Sequence, residues 1–234
     1  MTLVVLRGIE RSFALAGGTR LPVLRGIDLD LAPGSWTALM GPSGSGKSTL
    51  MNVIGLLDRP NAGTVAIAGA RADQLDDDAA SQLRSRTIGF VFQGFHLIPQ
   101  LTLRENVELP LMYQGVPAAE RRRRALDRLE QVGLATRERA HPPELSGGMQ
   151  QRAAIARALV AAPPLLIADE PTGNLDSRTG AEVLDLLAGL NAQGMTLLMV
   201  THDAKAASYA RRTLHLEKGK LLELEAQTVG STIG

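Results

Sequence analysis

The chain has 234 residues, 44% of them hydrophobic and 21% charged, which suits one globular α/β domain with at most a small inserted lobe. A formal net charge of only +1 gives no global electrostatic case for nucleic-acid binding. Cysteine is absent, so a disulfide framework is excluded and a reducing compartment fits.

Near the start, residues 3–31 and 62–70 read as short strands with turn signals at Ala16-Gly17-Gly18 and Pro33-Gly34. They predict an antiparallel side sheet. Four apolar runs then look like buried parallel strands: Trp36–Met40, Ile88–Phe92, Leu165–Ala168 and Leu197–Val200. Each run ends in polar or glycine-rich chemistry: the loop opening at Gly41, Gln93, Asp169–Glu170 and Thr201-His202. Ligands of open parallel sheets sit beyond the carboxyl ends of the strands, so all four are expected to converge on one ligand.

The first of these ends is the most specific. Gly41-Pro42-Ser43-Gly44-Ser45-Gly46-Lys47-Ser48 matches G-x-x-x-x-G-K-[ST] between a strand and a helical stretch, Ser48 to Leu57, that begins with Thr49 in its first turn. Such a loop turns its N–H groups onto phosphates, and the helix dipole adds to the attraction. Lys47 would balance β- and γ-phosphate charge and Ser48 would ligate Mg²⁺. Of 25 basic residues only four are lysine, and one of them falls here.

Residues 95–160 are mostly helical, with breaks expected at Pro99, Pro110, Pro117 and Pro142–Pro143, and form a candidate helical lobe. Phe95-His96-Leu97-Ile98-Pro99 is apolar and loop-like. Arg121–Arg124 lies in an expected helix with Glu120, Asp127 and Glu130, and reads as a solvated charged face, with attraction to anionic lipid headgroups as the sharper alternative. Leu145 to Arg152 opens a helix reaching about Val160. Ser146 is its N-cap, Gly147 and Gly148 allow close approach of an anion, and Met149, Ala153, Ala156 and Val160 share one face. The next strand, Leu165–Ala168, ends in two acids. Adjacent carboxylates at a buried strand end need a compensating cation. Asp169 would hold Mg²⁺ and Glu170 would polarise an attacking water. The tail from Ala226 has little pattern and is expected to be loose.

No stretch suits a membrane span. The most apolar one, Ala153 to Ala168, is interrupted by Arg157 and Pro163–Pro164, and Met1–Arg7 has neither a basic n-region nor a cleavage site. Any membrane role is expected to come through a partner.

Taken together in this order, the motifs resemble those of the ABC transporter ATPases over roughly residues 2–225. Gly41–Ser48 resembles Walker A, Gln93 the Q-loop, Leu145–Gln150 the signature and Leu165–Asp169 Walker B. Glu170 resembles the catalytic glutamate, Asn174-Leu175-Asp176 the D-loop, and His202 the switch histidine. Phe13 falls where the family places an aromatic ring against adenine. Within the superfamily, Gly55–Asp58, Ile88–Gln93, Leu101–Val107 and Asp169–Asp176 are most similar to the macrolide-exporter and lipoprotein-release ATPases, with the cell-division ATPase nearby. Two departures are Met149 in place of the usual Gln and Ser35 in place of the usual Glu.

This resemblance implies a P-loop NTPase fold with a mainly parallel core sheet. Residues 1–94 and 161–225 would form a RecA-like core with the antiparallel side sheet, 95–160 an inserted helical signature subdomain, and 226–234 a loose tail. It implies ATP and Mg²⁺ as ligands, with the ion on Ser48, Gln93 and Asp169. The catalytic set would be Glu170, His202, Lys47 and Gln93. Two copies would pair head to tail, Ser146, Gly147, Gly148 and Asp176 of each closing over the other's ATP. The segment after Gln93 would border the groove for the coupling helix of an integral membrane permease, or be a locally buried turn. The chain would then sit peripherally on the cytoplasmic face of the inner membrane and contact the membrane only through the permease. The implied work is export or extraction of an amphipathic substrate, or transmembrane signalling without transport, as in the cell-division relative.

Overall fold

In the computed structural model, residues 2–15 and 18–224 are described; the expected tail at 226–234 and the Ala16-Gly17 part of the first turn lie outside them. Strands β1 (Val4–Ala14), β2 (Arg20–Leu31), β4 (Ala62–Ile67) and β5 (Ala70–Arg71) form an antiparallel sheet in the order β2-β1-β4-β5. This is the expected side sheet. Alternate residues of β1, Val4 and Leu6, are fully buried, which is the period-2 pattern of a sheet packed on one face.

The second sheet has six strands in the order β10-β9-β3-β8-β7-β6. These are β3 (Trp36–Met40), β6 (Ile88–Phe92), β7 (Leu165–Asp169), β8 (Thr196–Val200), β9 (Arg212–Glu217) and β10 (Lys220–Leu224). All neighbours pair in parallel except β10, which pairs antiparallel with β9. Parallel strands buried on both faces read as unbroken apolar runs, which is why four were visible in the sequence. The sheet also separates two apolar cores. Leu166, Ala168, Leu197 and Met199 face one with the helices, while Leu165, Ile167, Leu198 and Val200 face the other with the side sheet and helix α1 (Lys47–Ile54).

Among the described residues, helices α2 (Asp77–Thr87), α3 (Leu103–Tyr113), α4 (Ala118–Gln131), α5 (Gly147–Leu159), α6 (Ser177–Ala192) and α7 (Ala204–Ala207) complete the chain. Helix α1 ends earlier than the sequence suggests, at Ile54 rather than Leu57, because Gly55 caps it and Leu56 turns left-handed at φ 53°. A second expectation fails at Pro110, which lies inside α3 rather than breaking it. The helix survives one missing N–H for two reasons. Thr102 and Glu105 form a reciprocal capping box at its start, and Leu103, Val107 and Leu111 are all fully buried. Burying each such aliphatic side chain contributes about 2 kcal/mol, together more than the roughly 3 kcal/mol penalty of an interior proline. Only part of the arginine run is a solvated face: Arg122 and Arg123 are exposed, Arg123 and Arg124 both pair with Glu120, and Arg123 also with Asp127, whereas Arg121 turns inward beside Glu108 and donates to the Val116 carbonyl.

Candidate functional site

The glycine-rich loop joins β3 to α1. Helices α2, α3, α5 and α6 are capped by the side chains of Asp76, Thr102, Ser146 and Asp176. Helix α1 differs: its N-cap is Gly46 at φ 106°, no side chain caps it, and its first turn holds no acid. Its leading amides are therefore free to donate to an anion. Gly41, at φ 145°, lies so close to β9 that a Cβ would collide with the Leu216 carbonyl oxygen. Lys47 Nζ donates to the carbonyls of Gly41 (2.7 Å) and Pro42 (2.9 Å), which holds the ammonium over the loop. Ser45 Oγ is buried beneath it with no partner among the described residues.

Opposite the loop, β7 ends in Asp169. Burial, then the neighbouring Glu170 charge, pushes this carboxyl above its ordinary pKa, and Lys47 offsets part of that. Glu170 itself adopts a left-handed backbone at φ 47°. Its N–H donates to the Val200 carbonyl (2.9 Å) and its carbonyl accepts from Gly173 N (3.0 Å), so both neighbours fix the turn. His202, just beyond β8, places Nδ1 2.7 Å from Glu170 Oε1. The pair is asymmetric, with the Glu170 side chain 21% exposed and that of His202 72%.

Gly41, Pro42, Ser43, Gly44, Gly46, Lys47, Ser48, Thr49, Asp169, Glu170 and His202 line one cavity of about 660 Å³, with Val23 and Val200 completing it. Three of the four strand ends thus converge. Val23 was not legible as a site residue: it reaches the loop from β2, and nothing local in its sequence marks that long-range contact. Phe13 is not in the cavity wall. It pairs in register with Leu21 on the sheet that carries Val23, stays 40% exposed, and has the Arg11 guanidinium 4.7 Å above its ring.

Gln93 is also outside the wall. Its Nε2 donates to Asn174 Oδ1 (3.2 Å), and Asn174 Nδ2 donates back to the Gln93 carbonyl (2.9 Å). This reciprocal lock joins β6 to the turn after Glu170, and no local pattern marks the pairing. Ser146, Gly147, Gly148 and Asp176 gather at a separate place. Ser146 Oγ accepts from Met149 N (3.3 Å) as the N-cap of α5, and Asp176 accepts from Arg178 N, Thr179 N and Thr179 Oγ1 as the N-cap of α6. Hydrogen bonds led by the Thr179 hydroxyl hold Asp176 below the usual carboxylate range. Gly148 packs so tightly on Thr179 that a Cβ there would collide with its methyl group. Met149 tucks against the helical core, and nothing in the structure explains Ser35.

A triphosphate fits the uncapped tip of α1, and a magnesium ion fits the hydroxyl of Ser48 beside the half-buried Asp169. No cluster of three or more His, Cys, Asp or Glu among the described residues could hold an ion unaided. Mg²⁺ takes one or two protein oxygens and fills its shell from phosphates and water.

Comparison with known proteins agrees with this geometry. The family model for the ABC transporter matches residues 24–173. The ATP-binding protein YvrO of Bacillus subtilis, itself described as an uncharacterized ABC transporter protein, is 48% identical over 94% of this chain and 96% of its own length. The macrolide export ATP-binding/permease protein MacB of Marinobacter nauticus is 49% identical over 94% of this chain and 34% of its own. For the pyoverdine export ATP-binding/permease protein PvdT of Pseudomonas fluorescens the figures are 48%, 94% and 34%. The chain thus spans about a third of the length of these two relatives. Among solved structures, the dimer of the bacterial ABC transporter cassette MJ0796 superposes with a TM-score of 0.85 at 42% identity, covering 95% of this chain and 99% of that one. The same cassette is also known as a post-hydrolysis dimer bound to ADP and Pi, with the same score. An uncapped phosphate loop facing an acid pair, on a fold shared with these cassettes, leads to one conclusion: the chain belongs to the ABC transporter family and is an ATP-binding cassette of that family.

Proposed function

We propose that this cassette binds ATP with Mg²⁺, pairs head to tail with a second copy of itself, and hydrolyses the nucleotide to drive an integral membrane permease. One observation carries this reading. The chain holds a phosphate cavity at the tip of α1 and a second helix tip, exposed at Ser146, half-buried at Gly147 and buried at Gly148, that lies outside that cavity. A helix N-terminus helps an anion only when the anion sits against it. Two copies in opposite orientation bring each tip onto the other's triphosphate.

Within the cavity, the α1 amides and Lys47 grip the β- and γ-phosphates, and Ser48 and Asp169 hold the ion. Bound Mg²⁺ would spread the negative charge developing on the phosphate oxygens. Glu170 accepts the proton of the attacking water as its oxygen bonds to the γ-phosphorus. The bond from that phosphorus to the β-phosphate oxygen breaks, releasing ADP and inorganic phosphate. His202 orients the Glu170 carboxylate through the 2.7 Å hydrogen bond and keeps the attack geometry. Gln93, locked to Asn174, links the ion side of the cavity to the loop that follows.

Export of an amphipathic substrate is favoured because MacB and PvdT are both described as export ATP-binding/permease proteins. No described helix is long and apolar enough to cross a membrane, so contact with the bilayer is proposed to come through the permease, on its cytoplasmic face. The test is Glu170→Gln with ATP and Mg²⁺, followed by light scattering. A stable dimer that releases phosphate very slowly is expected. A monomer at saturating ATP, with or without the permease, sinks the head-to-tail reading.

A further inference from the structure

Immediately beyond Gln93 the backbone does something costly. Phe95 (φ 57°) and His96 (φ 51°) are consecutive non-glycine residues in the left-handed region. A left-handed conformation is uncommon for either and persists only where the surroundings enforce it. His96 N also donates to Gly94 O at 2.5 Å, so the chain is tightly folded back on itself.

The enforcing group comes from α5, 61 positions beyond His96. Arg157 lies near the end of α5, the helix whose other end is Ser146–Gly148. Its Nη2 donates to the Phe95 carbonyl (2.8 Å) and its Nη1 to the His96 carbonyl. No carboxylate pairs with Arg157 among the described residues. Burial pulls its guanidinium below its ordinary pKa. An unpaired, partly buried cation is costly unless donors and acceptors match. Here the planar fork spans two adjacent carbonyls that the left-handed pair presents side by side.

The same segment is tied to the nucleotide lobe. The His96 ring stacks on Phe92 (5.2 Å between centroids, 18° between planes), and Phe92 stacks on Phe90 (5.6 Å, 1°). Phe90 in turn abuts Gly55 at the end of α1, so closely that a Cβ on Gly55 would meet the ring. A continuous line of contacts therefore runs from the phosphate-loop helix through three rings to the helix carrying the second tip.

We propose that Arg157 is a positioning residue for ATP hydrolysis: it clamps the left-handed Phe95–His96 pair, and so fixes Gln93 and couples α1 to α5. The proposal rests on the ATPase reading above, and it adds Arg157, Phe95 and His96, which that reading does not use. Lysine at 157 can reach one carbonyl but not fork across two, so it is an intermediate probe. Methionine keeps the apolar stem and removes every donor.

The experiment is peptide-resolved hydrogen exchange and steady-state phosphate release on the full chain, comparing wild type, Arg157→Lys and Arg157→Met. Arg157→Met is expected to speed exchange at 95–98 at least tenfold, to leave the α5 core unchanged, and to lower kcat about tenfold with KM for ATP within twofold. Arg157→Lys is expected to fall between. Wild-type exchange at 95–98 in Arg157→Met overturns the clamp. So does faster exchange spread evenly along α5 in both variants, since that marks a packing role only. A kcat unchanged in Arg157→Met overturns the link to catalysis. If the wild-type chain releases no phosphate, the ATPase reading fails, yet the exchange comparison still decides the clamp.

Discussion

The two helix tips of this molecule are built from similar parts and end in opposite conditions. At α1, glycine caps without a side chain, the amides stay free, and a lysine and an acid pair surround them. At α5, the Ser146 hydroxyl takes one amide, and no residue of the phosphate cavity lies at the tip. One tip lines a cavity within a single chain, and the other, on the reading proposed above, is half of a shared site. That reading divides catalytic competence between surfaces, so a variant should be judged by which half it disables.

The largest expected effect lies on the complete half. Lys47→Ala removes the charge that faces the β- and γ-phosphates and should lower phosphate release at least about 10³-fold while weakening ATP binding, as read by turnover and fluorescent-nucleotide titration. Normal turnover would break the comparison at its stronger side. Glu170→Gln should cost about 10²–10⁴-fold in kcat with ATP affinity preserved, because only proton acceptance is lost.

Next comes the incomplete half. Gly148→Ala drives a methyl into Thr179 and should displace α5 from α6, reducing ATP-dependent dimerisation and turnover together. Adding Thr179→Ser removes the obstructing methyl yet keeps the hydroxyl that Asp176 accepts from, so the double variant should recover much of the loss. Dimerisation unaffected by Gly148→Ala would remove the tip from the interface.

The smallest effect sits away from both tips. Asp73 accepts from Arg71 and from Val65 N, chiefly the arginine, which holds its carboxyl at about 2 against an ordinary 3.8. A depressed carboxyl stabilises the fold above its unfolded value and stops doing so as pH falls through the folded one. Its contribution should therefore be complete above about pH 4 and fade toward pH 2. Arg71 is half exposed, so solvent screening leaves only part of that contribution. Asp73→Asn should lower the urea midpoint at pH 7 and narrow its gap to wild type near pH 2, while ATP turnover stays the same.

How much of this was legible from residues alone follows the range of the interactions. The parallel strands and the phosphate loop were readable because burial on both faces and a fixed glycine spacing leave local marks. Pro110 misled because its helix is held by a capping box and by the burial of Leu103, Val107 and Leu111 against other elements, and propensity sees neither. Val23, the Gln93–Asn174 lock and the Arg157 clamp were invisible for one reason. Each joins residues far apart in sequence, up to 81 positions for Gln93 and Asn174, whose types carry no signature.

The left-handed backbone at Glu170 carries a consequence for how this protein would age under relaxed selection. Glycine or asparagine would sit there with less strain, by about 1 kcal/mol, so an inactivating replacement should melt a few degrees higher than the working protein. Turnover and thermal endurance pull this one position in opposite directions. A copy of the chain freed from its task should drift toward the sturdier, silent residue first.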